Sequence, residues 1–272
     1  MTRSKVELRH WAAIRESPQD DAPRLSYADW LESRGNEARA HLIRVQCSLA
    51  LLGGDRRKGK KERAWLEPRE KQLLTRHGEL WLTQFRKTMK GSNPWDMADD
   101  WLNRMVFRRG FVSGQNLGLE TARRLAAAGD RLEPVDQVYV TECGAHYCHE
   151  SVIQIAQWTG AGCVLGLSVA WGSDRDIAVI VRSPSLDNLQ HLGVWHGNVT
   201  DRGLKSLADW PAAISLKSID LKDNAITDAG AFALADSPYL GPLRRLDLYR
   251  TRIGPMGRQR LRDRFGDAVA MD

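Results

Sequence analysis

The sequence has few of the features that mark secreted, membrane-spanning or disulfide-stabilised proteins. Its 272 residues include four cysteines without a framework spacing, which predicts reduced thiols and a cytoplasmic location. No run of about 18 uncharged apolar residues occurs, so we expect no transmembrane helix and no membrane partner. The first seven residues lack an apolar core and do not resemble a signal peptide.

The sequence also lacks the motifs that carry familiar catalytic chemistry. It contains no H-E-x-x-H motif, no phosphate-binding glycine loop and no recognisable Ser-His-Asp set. Asp20 and Asp21 form a carboxylate pair, but they precede Ala22-Pro23, where carboxylates stabilise the start of a helix. We therefore expect a protein that is not an enzyme and needs no cofactor.

One short segment has the composition of a metal site. Its zinc-ligating residue types are Cys143, His146, Cys148 and His149. Zinc takes such ligands in a tetrahedral arrangement, but this spacing is crowded and no second Cys-x-x-Cys pair follows. We favour an ordinary loop and expect no metal, with these four residues as the alternative metal candidate.

Positive charge is concentrated in the N-terminal half. The chain carries 40 Lys+Arg and 34 Asp+Glu, of which residues 1–133 hold 26 and 18. A basic loop in this half contains Arg56, Arg57, Lys58, Lys60 and Lys61, and the segment 244–264 carries eight arginines. Such clusters can contact phosphate backbones, although they are more often solvated surfaces. Nucleic acid is therefore the alternative partner.

The strongest pattern in the sequence is a repeated apolar triplet with the spacing L-x-x-L-x-L. Three copies begin at Leu189, Leu216 and Leu243, 27 residues apart, and weaker copies begin at Val164 and Val135. The end of each triplet alternates with period two, which predicts a short strand with one apolar face. Because one such unit cannot bury its own apolar face, copies must stack to form a continuous core.

This spacing resembles a leucine-rich repeat of the longer, ribonuclease-inhibitor-like type. The resemblance implies a parallel strand and a helix in each repeat, and thus a short α/β solenoid. The family's Asn or Cys, three residues after the last strand residue, stands here as Asn224 and Cys143. Gly172, Gly197 and Thr251 occupy the position in other copies, so we expect the side-chain ladder there to be incomplete.

The N-terminal third is predicted to be helical, with helices over about residues 6–16, 23–33, 37–52 and 62–88. The stretch D-D-A-P-R-L-S-Y-A-D-W-L-E-S-R-G-N over residues 20–36 resembles the repeat-companion domain, known mainly from planctomycete bacteria. That resemblance implies a bacterial protein with an all-helical module beside a leucine-rich array, and it implies no reaction.

The expected organisation has three parts. Residues 1–90 form the helical module, residues 91–104 a linker or insertion, and residues 105–272 the solenoid. Within the solenoid we expect residues 105–113 to be the first strand of a degenerate repeat and residues 263–272 to be a C-terminal cap, since an array must cover its open apolar ends.

Alternation within the strands predicts which side chains face solvent on the concave side of the array. The predicted partner-binding residues are Tyr139, His191, Trp195, Asp220, Lys222, Arg245, Asp247 and Tyr249. Aromatic and arginine side chains are the usual anchors of protein interfaces. We therefore predict a non-catalytic protein-interaction adaptor or scaffold, although the sequence identifies neither the partner nor the oligomeric state.

Overall fold

The chain divides into two compact units. The computed structural model describes residues 4–53, 57–89, 106–113, 115–117, 119–140 and 145–271. Unit 1 consists of residues 1–115 and 130–136, and unit 2 of residues 116–129 and 137–272. The predicted linker at 91–104 lies outside the described residues. Within the described residues, no helix is both long and apolar enough to cross a membrane.

Unit 1 is built mainly from helices, as the sequence predicts. They are α1 (Lys5–Glu16), α2 (Ala22–Ser33), α3 (Glu37–Leu51) and α4 (Lys60–Met89). Trp11, Tyr27 and Ile43 pack in one buried cluster that joins α1, α2 and α3. Ser4 caps α1 by accepting the backbone N–H of Glu7, which satisfies one of the free donors at the helix start.

A hairpin in unit 1 corrects the prediction of one strand over residues 105–113. Strand β1 (Val106–Arg108) pairs antiparallel with β2 (Phe111–Ser113), so the chain reverses at Arg109 and Gly110. These two residues have φ values of 47° and 84°. Two successive positive φ values give the primed turn whose twist matches that of paired strands. The turn was not predicted from the sequence, because its first residue is arginine and not one of the residues typical of such turns.

Gln46 of α3 holds the hairpin turn against the helices of unit 1. Its side-chain amide donates to the Phe107 carbonyl at 2.8 Å, and its side-chain oxygen accepts the Gly110 N–H at 2.7 Å. A Cβ at Gly110 would collide with Ile43 of the same helix. The hairpin therefore belongs to the helical unit and is not the start of the repeats.

Unit 2 contains the parallel sheet that the triplets predict. Its strands β4 (Gln137–Val140), β5 (Gly166–Ala170), β6 (His191–Trp195), β7 (Ser218–Asp220), β8 (Arg245–Asp247) and β9 (Val269–Ala270) pair in chain order. A further strand, β3 (Gln115–Leu117), precedes β4 in the sheet order. The middle triplet residues Val138, Leu167, Leu192, Ile219 and Leu246 share one lateral row and are at most 1% exposed. The triplets therefore form the core of the array.

Helices return the chain between successive strands and confirm the predicted α/β class. They are α5 (Leu119–Ala128), α6 (Ala145–Gln157), α7 (Asp174–Ile180), α8 (Asp201–Ala208), α9 (Asp228–Ala235) and α10 (Pro255–Phe265). The segment 263–272, expected to be a simple cap, contains the end of α10 and then β9, which adds a strand beside β8.

A carboxylate in the first turn of a helix ties one repeat to the next at two junctions of the array. Asp201 Oδ1 accepts the N–H groups of Thr227 and Gly230 at 2.8 and 3.0 Å, and its Oδ2 accepts the Thr227 hydroxyl at 2.6 Å. Asp174 makes the same three contacts with Thr200 and Gly203. Free donors at the start of one helix are thus satisfied by the preceding repeat. We call this contact the aspartate clamp.

Glycine is needed where the aspartate clamp meets the next helix. A Cβ at Gly230 would lie 2.6 Å from Asp201 Oδ1, and a Cβ at Gly203 would meet Asp174 in the same way. The sequence T-D-x-G at residues 200–203 and 227–230 is therefore the signature of a contact between repeats. This contact fixes the spacing of the helices on one side of the array. Strand pairing fixes the spacing of the strands on the other side.

The ladder position beside the strands is filled in two ways. The Asn224 amide donates to the Val194 and Leu221 carbonyls at 2.7 and 2.9 Å, and its oxygen accepts the Val199 N–H. Gly172 has no side chain there, and its carbonyl accepts a backbone N–H from Asn198 at 2.9 Å. Gly172 and Gly197 both lack a side chain, so their backbones can pack closely. A direct contact between backbones thus replaces the missing side chain. Cys143, the other predicted ladder residue, lies outside the described residues.

The aspartate clamp predicts a position-specific cost for adding one methyl group. Gly230→Ala should lower the free energy of unfolding by about 2 kcal/mol, because Asp201 must move and lose buried hydrogen bonds. Gly241→Ala is the matched control, since its Cβ would meet no atom closer than 3.7 Å. Urea unfolding of both variants measures the difference. Equal stabilities would show that the clamp does not constrain the array.

Candidate partner-binding face

The strand pairing places the predicted binding residues in three lateral rows on the sheet face opposite the buried triplet residues, although Asp247, predicted to face solvent, is only 7% exposed. Tyr139, Ser168, Gly193, Asp220 and Asp247 form the middle row. One row earlier lie His191, Ser218 and Arg245, which are aligned by the same pairing. Ala170 and Trp195 pair in the following row, and Lys222 and Tyr249 occupy the equivalent positions just after β7 and β8. We call these rows the strand face.

Trp195 is held in place at the centre of the strand face. A Cβ on Gly193, two residues earlier in β6, would lie 3.2 Å from the Trp195 ring, so the indole folds back over the glycine. The Lys222 ammonium lies 5.5 Å from the centre of that ring and 2.9 Å from Asp220 Oδ2. A cation at this distance from an indole contributes roughly 0.5–1 kcal/mol at an exposed site. The ring is therefore ordered before any partner binds.

The next strand carries a second charged pair beside an exposed aromatic ring. Arg245 donates to Asp247 Oδ2 at 2.8 Å, and hydrogen bonding to this carboxylate raises the pKa of the guanidinium. Tyr249 is 48% exposed and follows two residues later. At the start of these strands, the His191 ring nitrogen lies 2.7 Å from the Ser218 hydroxyl. Each acidic side chain of the middle row is thus balanced by a cation from its own repeat.

A fourth row, not predicted from the sequence, borders the strand face. We call Trp171, His196, Asp223 and Arg250 the edge row. Each occupies the residue directly after the Ala170, Trp195, Lys222 and Tyr249 positions. All four have positive φ, between 52° and 60°. Non-glycine residues seldom adopt this conformation, so four in equivalent positions form a repeated feature of the array.

The edge-row side chains contact one another across four repeats. The Trp171 and His196 rings have centroids 6.1 Å apart. The His196 ring nitrogen lies 3.1 Å from Asp223 Oδ2, and Arg250 lies 3.6 Å from Asp223 Oδ1. Trp171 is 53% exposed. Residue type gave only a weak signal for this row, because aspartate and histidine are enriched at positive φ whereas tryptophan and arginine are not.

The chemistry of the strand face suits a mixed polar and aromatic surface. Trp195, Tyr249 and the neighbouring Trp171 supply large apolar area, while Lys222 and Arg245 supply cations that are already paired with carboxylates. Phosphate backbones prefer unbalanced positive charge. Protein interfaces combine aromatic and arginine anchors with a polar surround. The strand face therefore offers apolar area and hydrogen-bonding groups without unpaired positive charge at Lys222 and Arg245.

The alternative metal candidate is described only in part. Cys143 and the side chain of His146 lie outside the described residues, whereas Cys148 is fully buried. His149 Nδ1 lies 2.9 Å from Asp176 Oδ1 of the next helix. No cluster of three or more metal-ligating side chains occurs among the described residues.

Other reactive side chains have structural surroundings. Burial raises the pKa of the Cys47 thiol to about 12, so it stays protonated at neutral pH and is a poor nucleophile. Asp20 Oδ1 accepts the Ala22 N–H at 2.9 Å at the start of α2. Asp21 lies 3.4 Å from Arg109 of the hairpin. Asp20 thus stabilises the start of α2 as predicted, whereas the Asp21 side chain makes no capping hydrogen bond there.

The two predicted basic clusters differ in the exposure and in the contacts of their cationic side chains. Arg57, Lys58, Lys60 and Lys61 are exposed, and Arg56 lies outside the described residues. In α10, Arg258 and Arg264 donate to the Ile253 and Leu240 carbonyls at 2.9 Å, and Arg260 pairs with Asp236. These three arginine side chains therefore stabilise the end of the array.

The comparisons agree with the repeat interpretation. A family model described as Leucine Rich repeat matches residues 212–235, which span β7, Asn224 and the T-D-x-G start of α9. No curated protein matches the chain. The fold thus defines a short leucine-rich-repeat array with an N-terminal helical region, a type of fold that commonly presents surfaces for protein interaction.

The positive φ of the edge row predicts that glycine and alanine substitutions have opposite orders of stability at His196 and at His191. At His196, with its positive φ, glycine should be more stable than alanine by about 1 kcal/mol, because Cβ disfavours the left-handed region. At His191, inside β6, alanine should be more stable than glycine by about 0.5–1 kcal/mol, because glycine loses more chain entropy. Thermal unfolding of the four variants compares them. The same order at both positions would contradict the left-handed assignment.

Proposed function

We propose that this protein is a non-catalytic adaptor or scaffold that binds a protein partner on its strand face. The observation that carries the proposal is the ordered Trp195, seated on Gly193 and flanked by the Lys222 ammonium at 5.5 Å. An aromatic ring that is already fixed loses little conformational entropy on binding, which is how interface anchors gain affinity.

The composition around Trp195 supports a partner with a mixed polar and apolar surface. Tyr139, Tyr249 and Arg245 lie in the same three rows, within reach of a partner that spans several repeats. Asp220 and Asp247 are neutralised by Lys222 and Arg245, so the face offers hydrogen bonds without strong net charge. Such a surface discriminates by shape and by hydrogen bonding more than by charge.

The N-terminal helical region takes a supporting part in this proposal. Its sequence over residues 20–36 resembles the repeat-companion domain, and we assign it the role of a module that accompanies the array. The turn of the hairpin depends on Gly110 and on Gln46, both of which serve packing within unit 1. No reaction is assigned to this region.

Nucleic-acid binding remains the alternative, and one observation favours it. Arg57, Lys58, Lys60 and Lys61 are exposed next to the start of α4. If these side chains held a phosphate backbone, affinity would fall steeply between about 50 and 200 mM salt as counterions are released. The strand face would then be unnecessary for binding.

The proposal predicts that partner capture depends on the strand face and survives nuclease. Replacing Trp195, Lys222 and Tyr249 together by alanine should weaken binding of a captured protein partner at least about 30-fold, because interface anchors contribute 2 kcal/mol or more. The measurement is affinity capture from the native cytosol with and without nuclease, followed by titration of the identified partner.

A triple variant with matched side chains serves as the control. Ile214→Ala, Lys205→Ala and Met256→Ala remove two exposed apolar side chains and one lysine outside the strand face. This control should bind like the unmodified protein. Equal binding by both triple variants would contradict the proposed face. Capture that disappears with nuclease would show that it depends on nucleic acid. It would favour the alternative, in which the basic loop is the binding site.

A further inference from the structure

A groove lies between α6 and α7, on the helical side of the array. Its floor is apolar and is formed by Ile153 and Ala156 from α6 and by Ala178 and Val179 from α7. It is broadly open to solvent and has a volume of about 540 Å³, within the range of sites that hold a ligand or an inserted side chain. The small side chains of Ala156 and Ala178 leave this space open. The groove is separate from the strand face, which is formed by the strands.

Two hydrogen bonds fix the walls of the groove. His149 of α6 contacts the Asp176 carboxylate of α7 at 2.9 Å. Ser183, just after α7, donates its hydroxyl to the Ala156 carbonyl at 2.7 Å. Asp176 is 1% exposed and also accepts the backbone N–H and the hydroxyl of Ser173. The groove is therefore a preformed feature of this junction.

This junction departs from the pattern of the repeats that follow. The sequence S-D-R-D at residues 173–176 aligns with T-D-R-G at 200–203 and T-D-A-G at 227–230. Asp176 thus occupies the position where the later repeats carry the glycine that admits the aspartate clamp. Here the carboxylate reaches back to His149 of the preceding helix instead. The pairing of α6 with α7 is accordingly held by side chains that line or border the groove.

Two arginines give the groove a positive rim. Arg175 and Arg182 both line it, and neither forms an ion pair or hydrogen bond through its side chain with another described residue. No carboxylate side chain is among the described residues that line the groove. Arg175 lies in the first turn of α7, and Arg182 lies in the turn two residues after α7 ends at Ile180.

We infer that this groove binds an acidic amphipathic helix of a protein partner. Carboxylates on such a helix would pair with Arg175 and Arg182, and an aliphatic side chain between the carboxylates would enter the apolar floor. Helices that lie in grooves are recognised in this way, through side chains one or two turns apart. Phosphates of a nucleic acid would leave the floor of Ile153 and Val179 unfilled.

The test is a selection from a library of displayed helical peptides against the full chain. Selected peptides should carry at least two acidic residues with an aliphatic residue between them. Their affinity, measured by fluorescence anisotropy, should fall roughly tenfold for each of Arg175→Ala and Arg182→Ala, as loss of a charge-assisted hydrogen bond predicts. Both arginines are exposed, so these variants should fold normally.

Arg202→Ala provides the matched control, because Arg202 stands at the position of Arg175 in the next repeat but does not line the groove. It should leave peptide binding unchanged. The double variant R175E/R182E should reject the acidic peptides and bind versions in which both acids are replaced by lysine. The Trp195→Ala variant should bind the acidic peptides normally, which separates this site from the strand face.

Three results with peptides would overturn the inference. They are a selection without the acidic pair, equal binding by the unmodified chain and R175A/R182A, and failure of the charge-reversed pair to bind the lysine peptides. Binding of a single-stranded oligonucleotide that R175A/R182A abolishes, without any peptide binding, would also overturn it and identify the rim as a phosphate contact.

Discussion

The array depends on the aspartate clamp, in which a carboxylate from one helix satisfies the free N–H groups at the start of the next. Asp174 and Asp201 each accept three hydrogen bonds from the following repeat, and glycine at 203 or 230 leaves room for them. The clamp sets the spacing of the helices, while strand pairing sets that of the triplets. Because both constraints apply to every repeat from α7 to α9, side chains at equivalent positions line up into rows.

Because equivalent residues align in rows, surface residues from separate repeats form one candidate interface. Trp195, Lys222 and Tyr249 belong to different repeats, yet the common register places them side by side. The edge row extends the same logic, since Trp171, His196, Asp223 and Arg250 share a strained conformation and contact their neighbours. Strain repeated at equivalent positions can persist because the surrounding array fixes the backbone. The groove between α6 and α7 arises where the repeat pattern changes, at Asp176.

Period and spacing predicted much of this architecture, because burial of Leu192, Ile219 and Leu246 leaves a periodic trace in the sequence. The alternation rule likewise predicted the rows of the strand face. The hairpin at Arg109 and the edge row were missed, since residue type indicates a positive φ only weakly, and arginine and tryptophan seldom adopt one. The groove was missed because it depends on how Ala156 and Ala178 meet across two helices. The partner-binding role of the strand face stays a prediction.

Photo-crosslinking tests the central claim, recognition of a protein by the strand face, most directly. A photoreactive phenylalanine derivative would replace Tyr249 on the strand face or, in a second protein, Ser206 on α8 away from it. The account predicts that the probe at 249 forms a nuclease-resistant crosslink to one protein and that the probe at 206 does not. Crosslinking to that protein from position 206 alone, or to nucleic acid from position 249, would contradict it.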